Sequence, residues 1–70
     1  MTEYTVSMTW DEEASVWVAV NDQIPIALES DSFDTLVKRV KDAAPELLEL
    51  NGLNPECVLR FVTDRKEKVA

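Results

Sequence analysis

The first thirty residues contain three segments in which apolar and polar positions alternate: residues 4–10, 16–20 and 24–28. A period of two is typical of a half-buried β-strand, because successive side chains point to opposite faces of a sheet. Pro25 has no backbone N–H to donate to a neighbouring strand. We therefore expect the third strand to lie at an edge of the sheet or to begin after Pro25.

The second segment predicts two strand faces of different character. Val16, Val18 and Val20 share one face, and Trp17 and Ala19 share the other. Because the other positions in phase with Trp17 are small or polar, we predict that Trp17 lies on the sheet face that no helix covers. A Trp there either contacts a partner, as is common at interfaces, or packs on its own hairpin.

Residues 33–48 change to a helical period, with apolar residues three and four positions apart. Ser32 is a suitable N-cap, and Asp34 in the first turn matches the positive end of the helix dipole. Pro45 interrupts the pattern while the apolar stripe keeps its phase. We expect either one kinked helix or a second helix that begins at Pro45. Gly52 is suited to end the helical region.

A fourth strand is predicted over residues 57–63, where Leu59 and Phe61 share one face. The element order is therefore β-β-β-α-β, and one helical region covers only one face of a sheet. We predict an α+β fold, a two-layer sandwich with an antiparallel-rich sheet covered on one face by a Pro-interrupted helix. Residues 1–63 are predicted to form a single domain, and residues 64–70 a charged C-terminal tail.

Charge is unevenly distributed along the chain. Its 70 residues include 14 acidic and 7 basic residues, a formal net charge of −7, and every Lys and Arg lies from Lys38 onward. An acidic surface repels nucleic acid and attracts basic proteins, so we expect no direct nucleic-acid partner. The same charge would also keep a small protein soluble and monomeric. Composition alone leaves both interpretations open.

The sequence offers few groups for catalysis. It contains no His to activate a nucleophile, and its one Cys, Cys57, lies in an apolar segment. A single Gly excludes a P-loop and a dinucleotide fingerprint. The candidates for binding Mg²⁺ are Asp11, Glu12 and Glu13 together with Asp31 or Asp34, but an exposed acidic turn is more simply hydrated. We expect no enzymatic activity, no metal site and no cofactor.

The chain also lacks signals for membranes and secretion. No apolar run approaches the ~20 residues of a membrane span. The first residues lack the basic-then-apolar order of a signal peptide. One Cys cannot form an internal disulfide, which fits a reducing compartment. We expect a cytoplasmic protein with no membrane partner.

Three motifs together resemble the DUF1902 family, a small group within the HicB-like antitoxin superfamily. They are W-D-E-E-A-S-V-W-V-A at residues 10–19, D-Q-I-P at residues 22–25 and P-E-L-L at residues 45–48. With Glu29, Ser32, Leu36 and Asn51 at matching spacings, the resemblance covers about residues 3–63. The chain departs from the family pattern at Ile26, near which the family usually has Gly, so the path of the third strand is the part that the resemblance specifies least.

This resemblance implies a partial ribonuclease-H-like domain without nuclease activity. HicB antitoxins mask HicA, a small basic RNA-cleaving toxin, and carry a C-terminal DNA-binding module that this chain is expected to lack. We predict a non-catalytic, antitoxin-like protein-binding module with an acidic surface. The predicted partner contacts are Asp11, Glu12, Glu13, Trp17 and Asp22. The alternative is a self-associating structural domain with no toxin partner, and a homodimer or higher homo-oligomer is compatible with both.

Overall fold

A computed structural model describes residues 1–70 and contains four strands and one helix. The strands are β1 (Thr2–Asp11), β2 (Val16–Asn21), β3 (Ile26–Ser30) and β4 (Cys57–Asp64), and the helix α1 is Phe33–Leu50. The order along the chain is β1-β2-β3-α1-β4, which confirms the predicted α+β fold. Residues 65–70 have no regular secondary structure.

The four strands form one mixed sheet in the order β3-β2-β1-β4. The two hairpins make β1–β2 and β2–β3 antiparallel, whereas β1 and β4 are parallel. This parallel pair arises because α1 carries the chain from β3 across the sheet to the far side of β1. The two edges of the sheet are therefore β3 and β4.

The helix covers one face of the sheet and lies mainly over β2 and β3. Leu36, Val40, Ala44 and Leu48, one on each successive turn, are fully buried against the sheet. The sheet supplies a matching set of buried side chains: Tyr4, Val6, Met8, Ala19 and Ile26. The helix is not long and apolar enough to cross a membrane.

Pro45 lies inside one continuous helix, so the chain does not start a second helix there. The proline ring removes the N–H that would bond to the carbonyl of Lys41. The helix begins as predicted, because the Ser32 side chain accepts a hydrogen bond from the Thr35 N–H at 3.3 Å. Gly52 follows the end of the helix, and its φ of 71° is the left-handed conformation that glycine favours.

The third strand lies at an edge of the sheet and begins after Pro25, at Ile26, as predicted from the proline, so Ile24 lies outside the strand. Ile24 is nevertheless 1% exposed, although it lies in the β2–β3 connection. Asn21 positions it, since the Asn21 Oδ1 atom accepts hydrogen bonds from the N–H groups of Gln23 and Ile24, each at 2.7 Å. An Asx turn thus brings an apolar side chain into the core from outside the strand.

The predicted placement of Trp17 on the uncovered face is wrong. The hairpin register sets Trp17 opposite Trp10 and Ala19 opposite Met8, both of which are on the helix-covered face. Ala19 is fully buried, whereas Val20 is 41% exposed. The three valines of β2 therefore face away from the helix, because the register with β1 decides which face of β2 is covered.

Candidate partner-binding surface

The β1–β2 connection is an ordered acidic turn. The Asp11 Oδ1 atom accepts hydrogen bonds from the N–H groups of Glu13 at 3.1 Å and Ala14 at 3.2 Å. Ser15 completes the reversal with a φ of 54°. Asp11, Glu12 and Glu13, which we call the acidic tip, are all exposed. The local hydrogen bonds hold the backbone of the tip in one shape, so its three carboxylates occupy a defined part of the surface.

Aromatic side chains lie next to the acidic tip on the covered face. The Trp10 and Trp17 rings meet edge-on with their centroids 5.4 Å apart, and Phe33 at the start of α1 is 5.0 Å from Trp17. The Arg65 guanidinium carbon lies 4.3 Å from the Trp10 ring centroid, and the Arg65 Nε donates to the Glu67 Oε1 at 2.7 Å. Trp17 is thus half-buried in a cluster beside the tip.

Asp22 lies at the other end of the sheet from the acidic tip. It belongs to the β2–β3 connection, and the six residues of β2 separate the two connections by roughly 17 Å. Asp22 is exposed and lines a polar hollow that also includes Glu3 and Thr5. The structure therefore brings four of the five predicted contacts together, and Asp22 forms a separate acidic site with Glu3.

The sheet face without a helix, which we call the open face, has a centre that sequence reasoning missed. Across the strands, Val20 of β2, Ser7 of β1 and Val62 of β4 form one row. Carboxylates lie beside this centre, with Glu29 opposite Val18. The sequence showed three alternating valines in β2. Valines at this spacing are equally typical of a buried core face, and our placement of Trp17 put them on the covered face.

No groups typical of a metal or nucleophilic centre come together. Within the described chain, no cluster of three or more His, Cys, Asp or Glu side chains is arranged to hold a metal ion. The only thiol, that of Cys57, is half-buried on the covered face of β4. Two surfaces stand out in the structure: the acidic tip with its aromatic neighbours, and the open face.

Comparison with known proteins gives a family and a similar structure. The model of a family described as "Domain of unknown function (DUF1902)" matches residues 3–70. The crystal structure of hypothetical protein TTHA1013 from the extremely thermophilic bacterium Thermus thermophilus is similar, with a TM-score of 0.73 and 32% sequence identity over 97% of each chain. No curated protein matches the chain. The resemblance inferred from the motifs at residues 10–19, 22–25 and 45–48 is thereby confirmed at the level of the family.

Proposed function

The chain belongs to the DUF1902 family, and we propose that it is a non-catalytic, antitoxin-like module that binds a small basic RNA-cleaving protein. In this proposal the module masks the surface with which its partner binds RNA. The observation that supports it best is the acidic tip, in which the Asp11 carboxylate caps an Asx turn that carries the exposed side chains of Glu12 and Glu13 beside a pair of tryptophans.

The charge distribution favours a basic partner. The first 35 residues contain eight acidic residues and no Lys or Arg, and the whole chain carries a net charge of −7. Asp64, at the end of the neighbouring strand β4, lines a hollow together with Glu12 and Trp10. Lys66 lines the same hollow, and Arg65 already lies over the Trp10 ring. A partner's Arg or Lys would replace Arg65 at this ring and gain both charge and ring contacts there.

Masking follows from the chemistry of RNA binding. A protein that cleaves RNA holds the phosphate backbone with Lys and Arg side chains. Carboxylates that occupy the same cations would compete directly with phosphates. The backbone of the acidic tip is already ordered by the hydrogen bonds that the Asp11 Oδ1 atom accepts, so binding would require little further ordering of this segment.

The first step of the test is to search next to this chain's gene for one that encodes a small basic protein, and that protein is then used as the partner. We expect co-expression of the chain to relieve the growth arrest caused by that protein. Replacing Glu12 and Glu13 by Gln should weaken binding by at least about tenfold at low salt, because two charges leave the contact. Both side chains are exposed, so the fold should be unaffected.

A matched control removes the same charge from the other end of the sheet. The Glu3→Gln/Asp22→Asn variant has the same net charge as Glu12→Gln/Glu13→Gln, so any effect of net charge on affinity is equal in the two. We expect the Glu3→Gln/Asp22→Asn variant to bind the partner within about twofold of the wild type. Calorimetric titration measures the affinity of each variant for the partner. Equal losses in the two variants would contradict a role of the tip. A lack of any such neighbouring gene, or growth arrest that the wild type fails to relieve, would contradict the proposal itself.

A further inference from the structure

We propose that two copies of this chain associate through the free edge of β4, in antiparallel register about a twofold axis at Val62. β4 is an eight-residue edge strand that pairs only with β1. Its outer N–H and C=O groups have no partner strand, and an unpaired edge is a template for another strand. This inference does not rest on the proposed masking of a toxin, although Asp64 belongs to both surfaces.

The two edges of the sheet differ in how they are protected. β3 has five residues and follows Pro25, and the Arg39 Nη1 atom donates to the Glu29 carbonyl at 3.1 Å. A side chain from α1 thus occupies a main-chain acceptor of β3, which discourages the addition of another strand. β4 contains no proline, and no side chain hydrogen-bonds to its backbone. The unprotected edge is therefore β4.

The covered side of β4 is also incompletely buried. Because α1 lies over β2 and β3, a groove of about 250 Å³ remains between the helix and β4. Leu59 and Phe61 line it from the strand, and Ala44 and Pro45 line it from the helix. A second copy of β4 would place its own Phe61 diagonally across from this one, within reach of an aromatic side chain.

Charge complementarity selects a second copy and its register. Arg60 and Asp64 lie on the open face of the same strand, and neither forms an ion pair within the chain, whose single ion pair joins Arg65 and Glu67. An axis at Val62 sets Arg60 opposite the partner's Asp64 and, by symmetry, repeats the pair. Opposite charges directly across an antiparallel pair are stabilising.

Neighbouring registers lose this complementarity. Moving the axis to Arg60 sets the two arginines against each other, and like charges directly opposite are destabilising. Moving it to Phe61 sets Arg60 against the partner's Val62 and Asp64 against the partner's Val58. With the axis at Val62, residues 60–64 of both copies pair and the two sheets form one sheet of eight strands. The acidic tips of the copies then point to opposite ends of that sheet, and Asp64 beside each tip pairs with the partner's Arg60.

The experiment is a charge swap followed by analytical ultracentrifugation. We expect the wild type to sediment at micromolar concentration as a dimer, at twice the 7.9 kDa chain mass. Arg60→Asp and Asp64→Arg should each weaken the dimer by at least about tenfold, because each creates two like-charge pairs. The double variant Arg60→Asp/Asp64→Arg restores opposite charges and should recover the affinity to within a few-fold.

A control and a second measurement keep the result interpretable. Glu29→Arg reverses a charge on the open face at the protected edge and should leave the dimer intact. Hydrogen exchange of the wild type needs no variant, and we expect amide protection in β4, but not in β3, to rise with protein concentration. A monomeric wild type, single reversals that leave the affinity unchanged, or a folded double variant that fails to recover would each overturn the proposal.

Discussion

Asn21 joins three parts of the chain through one side chain. Its Oδ1 atom accepts the N–H groups of Gln23 and Ile24 at 2.7 Å, and its Nδ2 atom donates to the carbonyl of Thr5 on β1. The first two bonds shape the β2–β3 connection and direct Ile24 into the core, where it is 1% exposed. The third ties that connection to the adjacent strand, which makes Asn21 a structural residue beside the exposed Asp22.

Replacing Asn21 by Ala should lower the free energy of unfolding by about 2 kcal/mol, since the part-buried N–H of Ile24 loses its acceptor. Asn21→Asp retains the acceptor and loses the donor to Thr5, so we expect a smaller loss of about 1 kcal/mol. Urea denaturation followed by circular dichroism measures both. The account is contradicted if Asn21→Ala unfolds like the wild type, or if the Asp variant loses as much as the Ala variant.

At the scale of elements, alternation along the chain predicted the strands but not which face of each is covered. A period of two defines two faces, and only pairing with a neighbour tells which of them faces the helix. In β2 the three valines look more like a core face than Trp17 and Ala19 do. The register with Trp10 and Met8 reverses that choice, and the contact of Trp17 with Phe33 of α1 follows from it.

For the candidate site, too, the features set by local sequence were predictable, and those set by strand pairing were not. The acidic tip was identified because its residues are consecutive in a turn, and local sequence determines where a turn projects. The separation of Asp22 from the tip follows from the path of β2, because the two connections lie at opposite ends of that strand. The predicted hairpin already implied it. The half-buried position of Trp17 and the valine centre of the open face depend on tertiary pairing. Sequence periodicity does not contain that information.

The helix α1 shows how packing overrides local preference. Pro45 leaves the carbonyl of Lys41 without its N–H partner, yet the helix continues to Leu50. Ala44 and Leu48, on either side of the proline along the buried stripe, are fully buried against the sheet. Burial of this stripe offsets the cost of the lost hydrogen bond. The P-E-L-L motif at residues 45–48 therefore lies within the helix and does not end it.

Replacing Pro45 by Ala should therefore stabilise the protein, by about 1–3 kcal/mol, because the N–H to Lys41 is restored and the ring clash is removed. Pro45 is exposed, so no core contact is lost. Glu46→Ala is the matched control on the next residue and should change stability by less than about 0.5 kcal/mol. Urea titrations compare the two. A loss of stability in Pro45→Ala would mean that the sheet requires the shape that the proline imposes on α1.

At the scale of the whole molecule, the charges repel one another more than they pair. The net charge is −7, the first 35 residues carry only acidic side chains among their charged groups, and the one ion pair joins Arg65 and Glu67 on the surface. Surface ion pairs contribute little, whereas an excess of one sign destabilises the compact state. The same excess that suits a basic partner therefore weakens the isolated domain.

Screening should then stabilise the protein. We expect Tm to rise by several degrees when NaCl is raised from about 10 to about 300 mM, because the Debye length falls from about 30 to below 8 Å. The Glu12→Gln/Glu13→Gln variant has two fewer negative charges, so its Tm should start higher at low salt and rise less. Protein concentration is held constant, since association of copies would itself shift Tm. If Tm of the wild type falls with salt, attraction and not repulsion dominates the electrostatics of the fold, and the cations beside the acidic tip, Lys66 and Arg65, compensate its charge.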